Sequence, residues 1–305
     1  MLLSKGFQLI FNPVLIIVPI IGRYFDVNNE HIFDNPSPEA LAVFMSLSLV
    51  IINADDFGMS STVNRAILSG IEQGLVTSTS IMANMPGFEE AVGLVGDHDE
   101  LRGRVGVHLN LTEGRPLSQP ILSCRLFCGA DGLFYFKRER PIFRLGKLAK
   151  AATYEELRMQ LEKVVGAGIK PTHLDSHHHI HTEWAIVPLV RRLAKEFRIP
   201  RIRLTRNMGR QPSYLKHLYK TVFNRWQLGR HTGLNNTDLF GDVLDLVYHS
   251  RGGWPEGKKI EVMVHPQFNE NGELVDLDRQ PLQPQLAPIL RQPLILSPVK
   301  SELHS

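Results

Sequence analysis

Residues Val50-Ile51-Ile52-Asn53-Ala54-Asp55-Asp56-Phe57-Gly58 form an apolar run that stops abruptly at two adjacent carboxylates and a glycine. A run this short and this apolar is the pattern of a strand buried on both faces, delivering acids to its end. Two later stretches repeat the pattern with histidine: Arg104-Val105-Gly106-Val107-His108-Leu109-Asn110, and Pro171-Thr172-His173-Leu174-Asp175-Ser176 followed by His177-His178-His179-Ile180-His181. Strand ends that carry ligand-type side chains must meet if they share a function, which constrains the architecture before any element is assigned.

Between these strands the periodicity changes to that of helices. Ser60-Ser61-Thr62 offers N-caps, Val63, Ile67 and Ile71 recur on one face, and Gly74 is the stop. Val76 to Met82 is β-branched and reads as a strand, and Phe88 to Val95 as a helix. Thr153-x-x-Glu156 reads as a capping box opening a helix that ends at Gly166-Ala167-Gly168. A strand over Pro171 to Asp175, a helix over Trp184 to Phe197, a strand over Ile199 to Leu204, a helix over Tyr214 to Trp226 and a strand over Ile260 to Val264, ending at His265-Pro266, complete the alternation. The stretch 112–150, rich in Gly, Pro and basic residues, reads as a long surface excursion of the kind used as a lid or substrate-binding loop. Alternation of this kind implies a parallel sheet, and chemistry at several strand C-termini is the habit of a (β/α) barrel. The expected fold is an α/β, TIM-barrel-like (β/α) barrel, distorted from the regular form, making a single catalytic domain over 46–305. An open doubly wound sheet is the competitor.

Residues 1–45 are expected to lie outside that domain as an apolar and then Pro-rich extension. The run Leu9 to Ile21 is interrupted by Asn12, Pro13 and Pro19 and is shorter than the roughly 20 residues a spanning helix needs. A cytoplasmic location is therefore expected, with an uncleaved anchor or atypical secretory signal as the rival. A formal net charge of +3 spread over 305 residues gives no concentrated field for nucleic acid. Cys124 and Cys128 have no second pair with which to complete a zinc site and are read as incidental.

Five of the chain's 13 histidines fall within the segment 173–181. Together with His108 and the Asp55-Asp56 pair they point to one divalent metal ion. Neighbouring residues on a strand face opposite ways, so one aspartate can ligate while the other takes a proton from water. One carboxylate plus two imidazoles leaves coordination positions open, as catalysis requires, and suits Zn²⁺ or Mg²⁺ as well as Co²⁺, Ni²⁺ or Mn²⁺. Asp56-Phe57-Gly58 matches the kinase D-F-G triplet, but no Gly-rich loop, strand lysine or catalytic loop precedes it.

Asn53-Ala54-Asp55-Asp56-Phe57-Gly58, the Val76 to Ser80 strand, Gly106 to Pro116, Pro171 to His181 and Val264-His265-Pro266 together resemble the YdjC-like carbohydrate deacetylases, in order from about residue 47 to 268. The resemblance implies a TIM-barrel-like fold and divalent-metal-dependent removal of acetyl groups from N-acetylated sugars such as chitooligosaccharides. Carried over by position, it makes Asp56, His108 and His177 the metal ligands and Asp55 the catalytic base. By analogy His265 becomes the general acid, and Asn110, Asp175, His179 and His181 become substrate contacts. The tail after about 270 matches only weakly. The implied reaction is attack of a metal-bound water on the acetamide carbonyl of an N-acetylated sugar or oligosaccharide. Assembly is left open between a monomer and a homodimer. Two rivals stand beside this reading: an amidohydrolase or phosphoesterase barrel using His179-x-His181 as its ligand pair, and a non-catalytic metal- or sugar-binding protein.

Overall fold

The structure is a computed structural model that describes residues 24–25, 32–33, 49–137, 141–208, 214–229, 232–249, 255 and 257–290. The chain divides into two compact units, Met1–Leu47 and Ser48–Ser305. In the first, β1 (Tyr24–Phe25) pairs antiparallel with β2 (Ile32–Phe33). The apolar run Leu9 to Ile21 lies outside the described residues, and among the described residues no helix is long and apolar enough to cross a membrane.

The second unit is built on β3 (Leu49–Phe57), β4 (Ser78–Ile81), β5 (Val105–Leu109), β6 (Leu174–Ser176), β7 (Leu239–Asp242) and β8 (Lys259–Val264). These form one parallel sheet in the order β6-β5-β4-β3-β8-β7. Val50, Ile52 and Ala54 of the central β3 have no exposed surface, which is why its sequence runs apolar instead of alternating. The helices are α1 (Ser61–Glu72), α2 (Phe88–Asp97), α3 (Lys147–Gly166), α4 (Val187–Glu196), α5 (Tyr214–Gln227), α6 (Val243–His249) and, after the short hairpin β9 (Gln267–Phe268) and β10 (Leu274–Val275), α7 (Leu282–Leu290). The N-cap of α1 is Ser60, whose hydroxyl accepts from the Val63 amide, and Gly74, at φ 69°, takes the left-handed conformation that ends it.

The expected strand Ile199 to Leu204 is present only as a bridge at Ile202. Its residues do something a regular strand could not. Leu174 N–H donates to the Arg201 carbonyl and Arg203 N–H to the Leu174 carbonyl, while the Asn207 and Met208 amides donate to the Phe240 carbonyl. Segment 201–208 thus leans on β6 at one end and β7 at the other, spanning the two edges of the curled sheet. The result is a distorted barrel, as expected, in which one position is irregular backbone.

Two other expectations need correction. The helix expected to open at Thr153 begins six residues earlier, at Lys147. Thr153 and Glu156 are buried inside it: Glu156 accepts from the Leu117 and Ser118 amides, and Gln160 exchanges hydrogen bonds with the Asn110 backbone. Glu156, with Gln160, is therefore a clamp on the loop after β5, while the Thr153 hydroxyl donates to the Ala149 carbonyl inside the helix. The stretch 112–150 is also no bare surface loop, because Ile121, Phe127, Cys128, Phe134, Phe136 and Ile142 are all buried in the main core. Cys124 and Cys128 are free thiols, and burial pushes the Cys128 thiol up to about 11.

Candidate active site

Asp56 and His108, at the ends of β3 and β5, and His177 and His265, which follow β6 and β8, lie at the C-terminal edge of the sheet, the edge that carries chemistry in parallel barrels, whereas His173 precedes β6 and packs against Gly106. The Asp55-Asp56 pair is separated by backbone geometry. The β3–β4 register shifts between Ala54 and Phe57, and Asp56 has φ 70°, a left-handed conformation that is uncommon for a non-glycine residue. Asp55 then turns to the barrel interior and Asp56 to the opening.

Asp56 Oδ1 lies 3.1 Å from His108 Nε2 and 2.9 Å from His177 Nδ1. The three donor atoms sit within 4.8 Å of one another. The side chains are 12, 2 and 10% exposed, so the set is buried on one side and open on the other. Burial alone would raise the Asp56 carboxyl, but hydrogen bonds and charge from His108 and His177 hold it well below the usual carboxylate range. A carboxylate oxygen and two imidazole nitrogens converging on one point, with one open side, fit a catalytic divalent ion.

His108 pairs across the sheet with Asp175, and the register places Nδ1 2.8 Å from Asp175 Oδ1. Burial opposes the imidazolium, yet Asp175 and Asp56 together lift His108 to about 10. Ser80 donates to Asp175 Oδ2 at 2.8 Å and completes the brace.

The interior half of the site is organised by Arg203, which has 1% exposure. Its Nη1 and Nη2 donate to Asp55 Oδ2 and Oδ1 at 2.6 and 2.7 Å, a two-pronged grip. Nη2 also lies 2.8 Å from Asp175 Oδ2, and Nε donates to Glu261 at 2.6 Å. Burial would weaken the guanidinium's hold on its proton, but Asp175, Asp55 and Glu261 keep it well above its ordinary value. Asp55, His108 and Asp175 also gather closely enough to suggest a second ion site. The Arg203 guanidinium already supplies the cation between Asp55 and Asp175, so that cluster is an internal salt-bridge network. Asn53 Nδ2 adds a further hydrogen bond to Asp55 at 2.9 Å.

His265 follows β8, with Nε2 3.9 Å from Asp55 Oδ2 and Nδ1 3.9 Å from Asp276 Oδ1. Asp276 Oδ1 accepts the His265 and Leu277 amides, and burial pushes its carboxyl up. The residues after 270 are therefore part of the site's support.

Of the expected substrate contacts, Asn110, Asp175 and His181 have no exposed surface. Asp175 is committed to Arg203 and His108; Asn110 receives the Thr112 and Glu113 amides and braces Asn84. His181 places Nδ1 2.6 Å from Ser176 Oγ and Nε2 3.1 Å from the Arg203 carbonyl. Both its ring nitrogens face protein, so a His179-x-His181 metal pair does not form. His179 keeps partial exposure, with its ring edge-on to Phe240 at 5.7 Å. His178 and His179 have φ 51° and 54°, and His178 stacks on His177 with ring centroids 4.1 Å apart.

Arg203, Glu261, Ser80 and Asp276 were not among the residues expected from sequence. The available signal was a lone charge set inside an apolar strand pattern, as in Ile202-Arg203-Leu204 and Ile260-Glu261-Val262.

The architecture and the donor set define a distorted parallel α/β barrel with a carboxylate–imidazole cluster at its C-terminal edge that could hold a metal ion. The sequence model of the YdjC-like protein family matches residues 49–292, which takes in the first part of the tail after about 270. The chain belongs to that family. A carbohydrate deacetylase of Brevibacillus brevis is 46% identical over 232 residues, 74% of this chain and 84% of the relative. One from Geobacillus stearothermophilus is 38% identical over 220 residues, 72% and 79% of the two chains. The crystal structure of an Enterococcus faecalis V583 protein, described as a cellobiose-phosphate cleavage protein, matches with a TM-score of 0.56 and 22% identity. That match covers 74% of this chain and 84% of the other, and it shows a shared fold.

Proposed function

We propose that the chain is a metal-dependent carbohydrate deacetylase that hydrolyses the acetamide of an N-acetylated sugar or oligosaccharide to acetate and the free amine. The observation that carries this reading is the placement of Asp55, gripped by Arg203, directly behind the open donor set of Asp56, His108 and His177. Relatives that are named carbohydrate deacetylases support the substrate class. A divalent ion held by Asp56, His108 and His177, with Zn²⁺ or Mg²⁺ the expected identities, would supply a Lewis acid that acidifies water and polarises the acetamide carbonyl.

The chain's own groups supply the rest. Asp55 takes the proton of the attacking water, and Arg203 and Asn53 fix which way its carboxylate faces. His265, within 3.9 Å of Asp55, gives a proton to the departing nitrogen, with Asp276 on its other ring nitrogen. The amide C–N bond breaks as that proton reaches the nitrogen, the free amine and the acetyl group as acetate are released, and the protons left on Asp55 and on the acid product return to His265 and to solvent.

The test is acetate release from N-acetylated mono- and oligosaccharides by the metal-loaded protein. Asp55→Asn should reduce turnover by at least about 100-fold, the scale of a lost general base, while metal binding persists. Wild-type rates in that variant would remove Asp55 from its role, and no release from any N-acetylated sugar would refute the activity.

A further inference from the structure

We infer that Glu113 is the positioning residue for His177, keeping its Nδ1 lone pair for the ion that Asp56, His108 and His177 would share by accepting a hydrogen bond from Nε2–H. This rests on the reading of Asp56, His108 and His177 as metal ligands.

The two imidazoles of the donor set turn opposite nitrogens to Asp56. His108 presents Nε2, and its Nδ1 lies 2.8 Å from the buried Asp175. His177 presents Nδ1, and its Nε2 lies 3.1 Å from Glu113 Oε2. Each histidine thus has a carboxylate on the ring nitrogen that faces away from Asp56. In a neutral imidazole the hydrogen bond made by one nitrogen decides which nitrogen keeps its lone pair. The rigid brace of His108 is part of the sheet. His177 has no such support from its own element, because it follows the last residue of β6 and precedes two residues in left-handed conformation.

Glu113 is the opposite of Asp175 in one respect: its side chain is 53% exposed. An exposed carboxylate is normally free to wander, but this one stands on a clamped stem. Its amide donates to Asn110 Oδ1 at 3.1 Å, and its carbonyl accepts from Asn110 Nδ2 at 2.7 Å and Asn84 Nδ2 at 3.1 Å. Buried Asn110 is held in turn by Gln160 of α3. Through this chain of contacts the polar residues of the 110–114 loop aim one acid at one ring nitrogen. Glu113 also lines a cavity of about 550 Å³ with Asn84, Met85, Arg115, Phe134 and Lys163, so the brace stands between that cavity and His177.

The experiment uses the full chain, stripped of metal with a chelator and titrated with Mn²⁺ by calorimetry. Glu113→Ala should weaken the Mn²⁺ dissociation constant by about 10- to 100-fold, the usual cost of removing the partner of a ligating histidine. Glu113→Gln keeps an accepting oxygen and should stay close to the wild type. Thermal unfolding of the metal-free proteins should be unchanged, since an exposed side chain costs little to truncate. Equal affinity of Glu113→Ala and wild type overturns the inference and leaves the metal site standing. A loss in Glu113→Gln as large as in Glu113→Ala also overturns it, because charge and not hydrogen-bond acceptance would then be the cause. If the wild type itself binds no metal, the ligand reading fails and the inference with it.

Discussion

Replacing Arg203 by Met should destabilise the fold in a way that depends on pH with a known sign. Methionine retains an apolar stem of similar reach and removes the one cation shared by Asp55, Asp175 and Glu261, which are 2, 0 and 0% exposed. Glu261 keeps Arg201 at 3.0 Å and Asp175 keeps His108 at 2.8 Å, but Asp55 is left with the Asn53 amide and a distant His265. Breaking a buried ion pair from one side costs about 3–5 kcal/mol, and a guanidinium bonded to three carboxylates belongs at the top of that range. At about 2–4 °C per kcal/mol for domains of 150–250 residues, a loss of about 5 kcal/mol lowers Tm by about 10–20 °C. In the wild type, burial would raise the Asp175 carboxyl, but Arg203 and His108 depress it, so its contribution is complete above about pH 4 and lost only at lower pH. In the variant the cluster takes up a proton to avoid an uncompensated buried charge. The folded state then holds more protons than the unfolded chain, and stability falls as pH rises. Urea unfolding of the metal-free proteins, followed by circular dichroism at pH 5 and pH 8, reads both effects. Arg203→Lys, which keeps charge but loses the fork, should fall between wild type and Arg203→Met. A variant deficit that is the same at the two pH values, or under about 1 kcal/mol at pH 8, would refute the reasoning.

Gly106→Ala should lower both stability and metal affinity. An added Cβ would lie 2.4 Å from His173 Cε1 and 2.5 Å from both ring nitrogens, and the ring is fully buried. Overpacking of this kind costs about 1–3 kcal/mol, and relief by a shift of β5 would carry His108 with it; wild-type Tm and Mn²⁺ affinity in the variant would disprove the contact. A second pH effect belongs to His173. Burial first, and then the charges of Arg201 and Arg203, hold its imidazole well below the ordinary value of 6.5. The unfolded chain therefore takes up this proton before the folded one does, and the stability present above pH 6.5 is lost as pH falls below it. His173→Asn should flatten that acid limb in urea unfolding between pH 6.5 and 5, and an unchanged slope would assign it elsewhere.

The strand ends were legible because burial on both faces leaves an apolar run that any polar residue must interrupt, and Asp56, His108 and His177 stood at the interruptions. Helix boundaries were less so. Thr153 and Glu156 carry the residues of a cap, but the Thr153 hydroxyl donates to the Ala149 carbonyl of its own helix, and Glu156 answers to the loop after β5, a partner 39 positions away in the case of Leu117. The division of the aspartate pair was expected from strand alternation, whereas the structure achieves it with a register shift and φ 70° at Asp56. No residue type announces such a conformation, since the aspartate is kept for its carboxylate and not for its backbone.

The network around Arg203 had a signal of a different kind, one that appears only when strands are considered together. Asp175, Arg203 and Glu261 are each a lone charge with apolar neighbours on both sides or nearly so: Leu174-Asp175, Ile202-Arg203-Leu204, Ile260-Glu261-Val262. Taken singly, each reads as a solvated face of an edge strand. In a parallel sheet covered on both faces that face does not exist, so each charge must be buried, and a buried charge must be paired. Two acids and one base still leave an acid in excess, and Asp55 adds another. The arithmetic therefore asks for further positive charge at the same end of the barrel. Arg201 meets part of it beside Glu261. What remains is one interior acid and, facing the opening next to two imidazoles, Asp56, which is the electrostatic condition for a divalent cation. Arg203 and the proposed metal thus complement each other. Arg203 with Arg201 offsets two of the three interior acids permanently, and the remaining negative charge, together with Asp56 at the opening, is what draws an exchangeable ion.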